Sequence, residues 1–155
     1  MTLQKYLIPY ILSQAAAVVL IFVCFKWPRA GKIVWGIIFT AAGVFNMYQA
    51  LTNPGIYAKV YGETAFLAVY KDFIYGVFQN HAALFVGLIA SGQILTGILL
   101  WMRSTFHKLG ILGGIVFLAA ISPLGVGSAF PATLLMAFSL VLILLRWKRK
   151  KEHHE

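Results

Sequence analysis

The residues in this chain that could bind a ligand or react with one are few, and they gather around two apolar stretches. Asn46 and Gln49 lie three positions apart in one stretch, and Ser91, Gln93 and Thr96 lie in the other. Asn80 and His81 stand at the head of the second stretch, while Glu63 and Asp72 occupy the connection between the two. The three-residue spacing puts Asn46 and Gln49 on one helical face, which must turn toward protein to find hydrogen-bond partners. Two readings stay open. In the first, the amides fasten helix to helix, with Gly87, Ser91, Gly92 and Gly97 allowing close backbone approach. In the second, Asn46, Gln49, Asn80, His81 and Gln93 form a polar pocket in the outer half of a bundle, with Glu63 and Asp72 as its outer lid.

The same residues exclude several chemistries. No Asp, Glu, Lys or Arg falls inside a predicted hydrocarbon span, which disfavours an ion-driven pump or proton relay. His81 lacks companions for a metal or haem site: His107 is expected in a turn, and His153 and His154 in the tail. The single cysteine, Cys24, excludes an intramolecular disulfide and a CxxC redox pair. GxSxG, HExxH, GxxxxGK[ST] and GxGxxG segments are absent, so no catalytic residue and no metal ligand is assigned. Absence of motifs does not exclude an enzyme, because membrane enzymes acting on quinones or lipids use scattered side chains in apolar pockets.

The elements that must position these residues are membrane helices. Hydrophobic residues make up 61% of the 155 residues and charged residues 11%, outside the range of ordinary soluble domains. The expected fold is all-α: one integral-membrane domain with spans at about 7–25, 33–51, 81–101, 109–126 and 131–147. The first run is expected to be retained rather than cleaved as a signal, since its positive charge follows it. Ser122, Pro123, Gly125 and Gly127 break the last apolar block into a hairpin, with Pro131 in the first turn of the fifth helix. The outer loop, residues 52–80, carries Phe66, Tyr70, Phe73 and Val77 at helical spacing. That pattern predicts a short interfacial helix lying flat, against the alternative of a loop that re-enters the bundle; Tyr57, Tyr61 and Tyr75 suit the same depth.

Orientation follows from charge. Ten of the thirteen Lys and Arg residues form three clusters: Lys26, Arg29 and Lys32; Arg103 and Lys108; and Arg146, Lys148, Arg149, Lys150 and Lys151. Basic residues near span ends stay on the cytoplasmic side, so five spans with the amino terminus outside and the carboxyl terminus inside satisfy every cluster. The net charge of +9 therefore serves orientation and contact with the lipid bilayer, including anionic lipid at the basic tail (148–155), rather than nucleic acid.

Three local patterns carry a family resemblance. Gly36-Ile37-Ile38-Phe39-Thr40-Ala41-Ala42-Gly43 looks like a first core helix, and Asn53-Pro54-Gly55-Ile56-Tyr57 like the exit from it. Gly92-Gln93-Ile94-Leu95-Thr96-Gly97-Ile98-Leu99-Leu100, followed by Arg103, looks like a glycine-rich second core helix with a basic end. From about Lys32 to Trp147 the chain resembles the DoxX-like family of small bacterial membrane proteins, built on a four-helix core. Residues 7–25 would be an additional amino-terminal span, and Gln93 stands where many relatives carry a glutamate, so any proton-handling role of that acid does not transfer. The resemblance implies a bacterial inner-membrane location and a quinone-linked or redox-accessory role, with quinone as the implied cofactor. Three functions are compatible with the sequence: a non-catalytic membrane component or protein subunit of a larger assembly, a quinone- or lipid-binding enzyme subunit, and a carrier of a small neutral or hydrophobic solute.

Overall fold

Trp27 alone separates the first two helices, because Pro28 cannot donate into the preceding turn but suits the first turn of the next helix. The structure, a computed structural model, describes residues 3–103 and 105–152, with side chains described over 7–103 and 105–147. Every described element is helical: α1 (Leu3–Lys26), α2 (Pro28–Thr52), α3 (Gly55–Thr64), α4 (Ala68–Phe73), α5 (Ala82–Trp101), α6 (Phe106–Ile121) and α7 (Ala132–Glu152). A π-helical turn (Ile74–Phe78) continues α4, and a 3-10 segment (Ser122–Ser128) continues α6.

Among the described residues, four stretches are long and apolar enough to cross a bilayer: Leu7–Lys26, Pro28–Thr52, Ala82–Trp101 and Phe106–Ser128. The expected fifth span is shorter. Its apolar part, Ala132–Trp147, reaches roughly 24 Å at about 1.5 Å per residue, below a hydrocarbon core of about 30 Å. Pro131 precedes that helix rather than opening it, and its carbonyl accepts from the Leu134 and Leu135 amides at 3.0 and 3.2 Å. Large apolar side chains point outward, among them Leu88, Leu95 and Val116, as a lipid-facing surface requires. The chain is a helical bundle of membrane type.

Helix α2 packs on α5, α5 on α6 and α6 on α7, and α1 packs along α7 and α2, placing Leu20 and Cys24 in the same buried core. Contacts at the helix ends fix the directions. Gln14 of α1 donates to the Ala129 carbonyl beside the start of α7, while Arg146 near the end of α7 stacks on Phe25 near the end of α1, 4.3 Å from its ring centroid. These two helices therefore run parallel, and successive long helices alternate in direction. Lys32 reaches the Met102 carbonyl and the Trp147 ring, so the described members of all three basic clusters meet at one end, here called the basic end. The other is the capped end, closed by α3, α4 and the π turn.

Two cores fill the bundle. Toward the basic end Trp35, Phe39, Leu100, Ile111, Leu140 and Ile143 pack together, and the Trp35 indole donates to the buried Ser139 hydroxyl at 2.9 Å. Toward the capped end Ala50, Ala58, Ile74, Phe78, Ala82 and Val86 form the second. Helices α2 and α5 approach one another backbone to backbone. A methyl at Gly43 would lie 2.8 Å from the Ala90 carbonyl oxygen, and one at Gly97 would lie 2.9 Å from the Gly36 carbonyl oxygen.

The small residues thus divide differently from expectation. Gly97 sits in the helix contact, but Gly87 and Gly92 have nothing near their open faces, and Ser91 is exposed with its hydroxyl on the Gly87 carbonyl. The buried face of α5 is Ala82, Val86, Ala90, Gln93, Gly97 and Leu100, spaced by three and four, which turns residues 87, 91 and 92 outward. Gly97→Ala should therefore lower stability by about 1–3 kcal/mol through backbone displacement, whereas Gly92→Ala should cause no loss. Unfolding of the two variants by denaturing detergent, followed by circular dichroism, checks the contrast.

Candidate functional site

The close contact of α2 with α5 sets Asn46 against Gln93 in the capped half of the bundle. Asn46 donates from Nδ2 to Gln93 Oε1 at 2.6 Å, and its Oδ1 accepts from the Tyr57 hydroxyl at 2.5 Å. Tyr57 belongs to α3, so a side chain from the outer connection completes a hydrogen-bonded group begun inside the bundle. Gln93 is buried, at 6% exposure. The fastening reading and the pocket reading are therefore not alternatives at these residues, because the amide pair that ties α2 to α5 also forms the polar end of a cavity.

That cavity encloses about 370 Å³ and lies between α2, α5, α6 and the capping segment. Aromatic rings line it from five elements: Tyr57 and Tyr61 of α3, Tyr70 of α4, Phe78 of the π turn, Phe85 of α5 and Phe117 of α6. The rings support one another, with Phe78 and Phe85 stacked at 5.7 Å and Phe73 edge-on to Phe85 at 5.4 Å. Three lining residues, Phe73, Ile89 and Ala120, are themselves exposed and mark the mouth between α5 and α6 beneath α4.

The capping segment is held by the α6–α7 connection. The Thr64 hydroxyl donates to the Leu124 carbonyl at 2.8 Å, the Phe66 amide to the Pro123 carbonyl at 3.2 Å, and the Tyr70 hydroxyl to the Ala120 carbonyl at 2.8 Å. Each partner is a backbone oxygen at the place where α6 tightens into the 3-10 segment. Gly125, at φ 76°, lies against the Thr64 carbonyl, leaving no room for a side chain. Residues 52–80 thus fold into three short helical pieces docked on the bundle: the expected short helix is α4 with the π turn that continues it, and α3 is additional. The predicted apolar face is displaced as well: Phe66, Phe73 and Val77 are exposed, while Ile74 and Phe78 are buried. The π turn, with its wider winding, carries the inward face from Tyr70 through Ile74 to Phe78.

Of the residues expected to converge, the structure brings together Asn46 and Gln93. Gln49 is half buried on α2 and does not line the cavity. Asn80 and His81 are exposed and bond to carbonyls of their own turn, Gly76 and Val77. Glu63 and Asp72 are exposed on the capping segment, whose cavity face is aromatic instead. His107, expected in a turn, lies in the first turn of α6, where it is buried edge-on against Trp147 at 3.8 Å. His153 and His154 lie outside the described residues, as do the side chains of the basic tail from residue 148 onward.

The hydrogen-bonding capacity of the cavity is not exhausted. Among the described residues, neither the Gln93 amide nitrogen nor the Tyr61 hydroxyl has a hydrogen-bond partner, and both residues line the cavity. No carboxylate, imidazole or thiol lines it. Burial raises the Tyr57 phenol above its ordinary value, and burial followed by the nearby Tyr57 pushes Tyr61 up to about 12, so both remain neutral donors at physiological pH. The arrangement can hold an apolar ring against aromatic walls and donate hydrogen bonds to an oxygen upon it. No protein-family model, curated protein or solved structure matches this chain.

The shift at Tyr61 has a sign. Its proton is held more tightly folded than unfolded, so its stabilising contribution is complete below pH 10 and is lost as pH rises toward 12. Tyr61→Phe should reduce the alkaline loss of stability across that window, measured by thermal unfolding as a function of pH beside the phenolate absorbance.

Proposed function

We propose that this chain is a multi-pass protein of the bacterial plasma membrane that binds a small quinone-like or lipid molecule in its aromatic cavity without transforming it. The observation that carries the reading is the cavity: an apolar, ring-lined space with hydrogen-bond donors at one end and a mouth on the side of the bundle. Its volume of about 370 Å³ lies in the range of small-molecule sites, enough for a ring-bearing headgroup. Gln93 and Tyr61 would hold an oxygen of that headgroup, the aromatic walls would pack its faces, and an apolar tail would leave past Phe73, Ile89 and Ala120 into lipid. A quinone would supply two-electron redox chemistry, and this chain would supply binding and exclusion of water.

The absence of carboxylates and imidazoles from the lining supports binding in place of proton transfer. The resemblance to DoxX-like proteins supports a redox-accessory place in a larger assembly. Passage of a solute through the bundle has less support, because the core around Trp35, Phe39, Leu100 and Ile111 closes the route toward the basic end. Five crossings, with the amino terminus outside and the basic end in the cytoplasm, accord with the gathering of Lys and Arg at that end.

Native mass spectrometry of the protein released from lipid, with solvent extraction of what it carries, tests the reading. The expected result is one quinone or lipid molecule per chain, lowered about tenfold by Gln93→Leu through loss of a hydrogen bond. Ala120→Trp, at an exposed position on the mouth, should lower occupancy without loss of fold. A wild-type protein that carries nothing and forms no one-to-one adduct with an added short-chain quinone or phospholipid would overturn it.

A further inference from the structure

At the end of the bundle opposite the aromatic cavity, three cations with no carboxylate partner among the described side chains converge on one groove. It encloses about 790 Å³ and is lined by Arg29, Lys32, Ile33, Trp101, Arg103 and Trp147. Three elements build it. Arg29 and Lys32 come from the first two turns of α2, Trp101 and Arg103 from the end of α5, and Trp147 from α7. The described acidic side chains, Glu63 and Asp72, both lie at the capped end.

The groove is constructed and not merely charged. Lys32 is half buried; its ammonium donates to the Met102 carbonyl at 3.2 Å and stands 5.3 Å from the centroid of the Trp147 ring. These contacts fix its direction while leaving further N–H donors for a ligand. Trp101 is held in turn, its indole donating to the Ile33 carbonyl at 3.4 Å and its ring filling the space over Gly36. The amino end of α2 has no side-chain cap, so its free amides add positive potential on the same side. Like charges gathered in this way repel one another, and an anion seated among them removes that cost.

We propose that this groove binds the phosphate of an anionic phospholipid. The phosphate chemistry answers to the three cations, while the lipid source answers to what lies beside them. Exposed Ile33, Ile37 and Ile98 offer apolar surface beside the groove for an acyl chain, and the two indoles lining it are of the kind favoured at the headgroup boundary. The proposal assigns the phosphate to Arg29, Lys32 and Arg103, and it stands whether or not the aromatic cavity holds a ligand.

The test incubates the full-length protein with phosphatidylcholine vesicles containing or lacking phosphatidylglycerol, then counts retained lipid by native mass spectrometry. One phosphatidylglycerol per chain is expected to be retained over phosphatidylcholine. The exposed double variant Arg29→Gln/Arg103→Gln should lower that occupancy about tenfold or more, with thermal unfolding unchanged. Replacing Lys148, Arg149, Lys150 and Lys151 by Gln should leave it in place. Equal retention in the double variant, loss on neutralising the tail alone, or inorganic phosphate held as strongly as the lipid would each overturn the proposal.

Discussion

Where α2 and α5 cross, Gly36, Gly43 and Gly97 bring backbone against backbone, and that closeness sets the depth at which Asn46 meets Gln93. In an apolar surround an amide must find a partner or leave a donor unmatched, which costs about 1–3 kcal/mol. Small residues one turn away supply the approach, and the amide pair uses it. The polar pair then draws in Tyr57 from outside the bundle. A capping segment anchored on an interior amide is held in register with the helices it covers, and the aromatic rings it carries become cavity walls.

A second anchorage comes from backbone groups that helix geometry would otherwise strand. Where α6 tightens into the 3-10 segment, the carbonyls of Ala120, Pro123 and Leu124 accept from side chains and an amide of the capping segment. In a bilayer such oxygens have no water to turn to, so irregular backbone is tolerated only where protein covers it. The cap and the helix break are therefore joined by three hydrogen bonds, and each covers the other.

Much of this was legible in the chain and some of it was not. The long helices follow from apolar run length, and the meeting of Lys32, Arg103 and Arg146 at one end follows from where the basic residues fall between the runs. The Ser122–Ser128 break and its need for protein partners follow from Pro123, Gly125 and Gly127. Asn46 and Gln93 stood out as amides in apolar helices, but which helical face met which depended on the crossing of α2 and α5. The aromatic wall was the larger omission. Tyr57 and Tyr61, four apart on α3, have the spacing of a common face, and their phenols made them look like interface residues. The inward face instead runs through Tyr70, Ile74 and Phe78, four apart across the junction of α4 with the π turn, while Phe66, Phe73 and Val77 are exposed.

Position 93 carries a neutral amide where a carboxylate would behave differently. Gln93 accepts from Asn46 through one end of its amide and keeps two N–H donors at the other, all without charge. A carboxylate in the same place would accept from Asn46 but would have nothing to donate unless protonated, and in this apolar, ring-lined space its charged form would be strongly disfavoured. The phenols of Tyr57 and Tyr61 stay protonated for the same reason. The chain therefore presents donors at the end of the cavity at every pH a cell experiences, which suits steady retention of a carbonyl-bearing molecule better than a proton taken up and released.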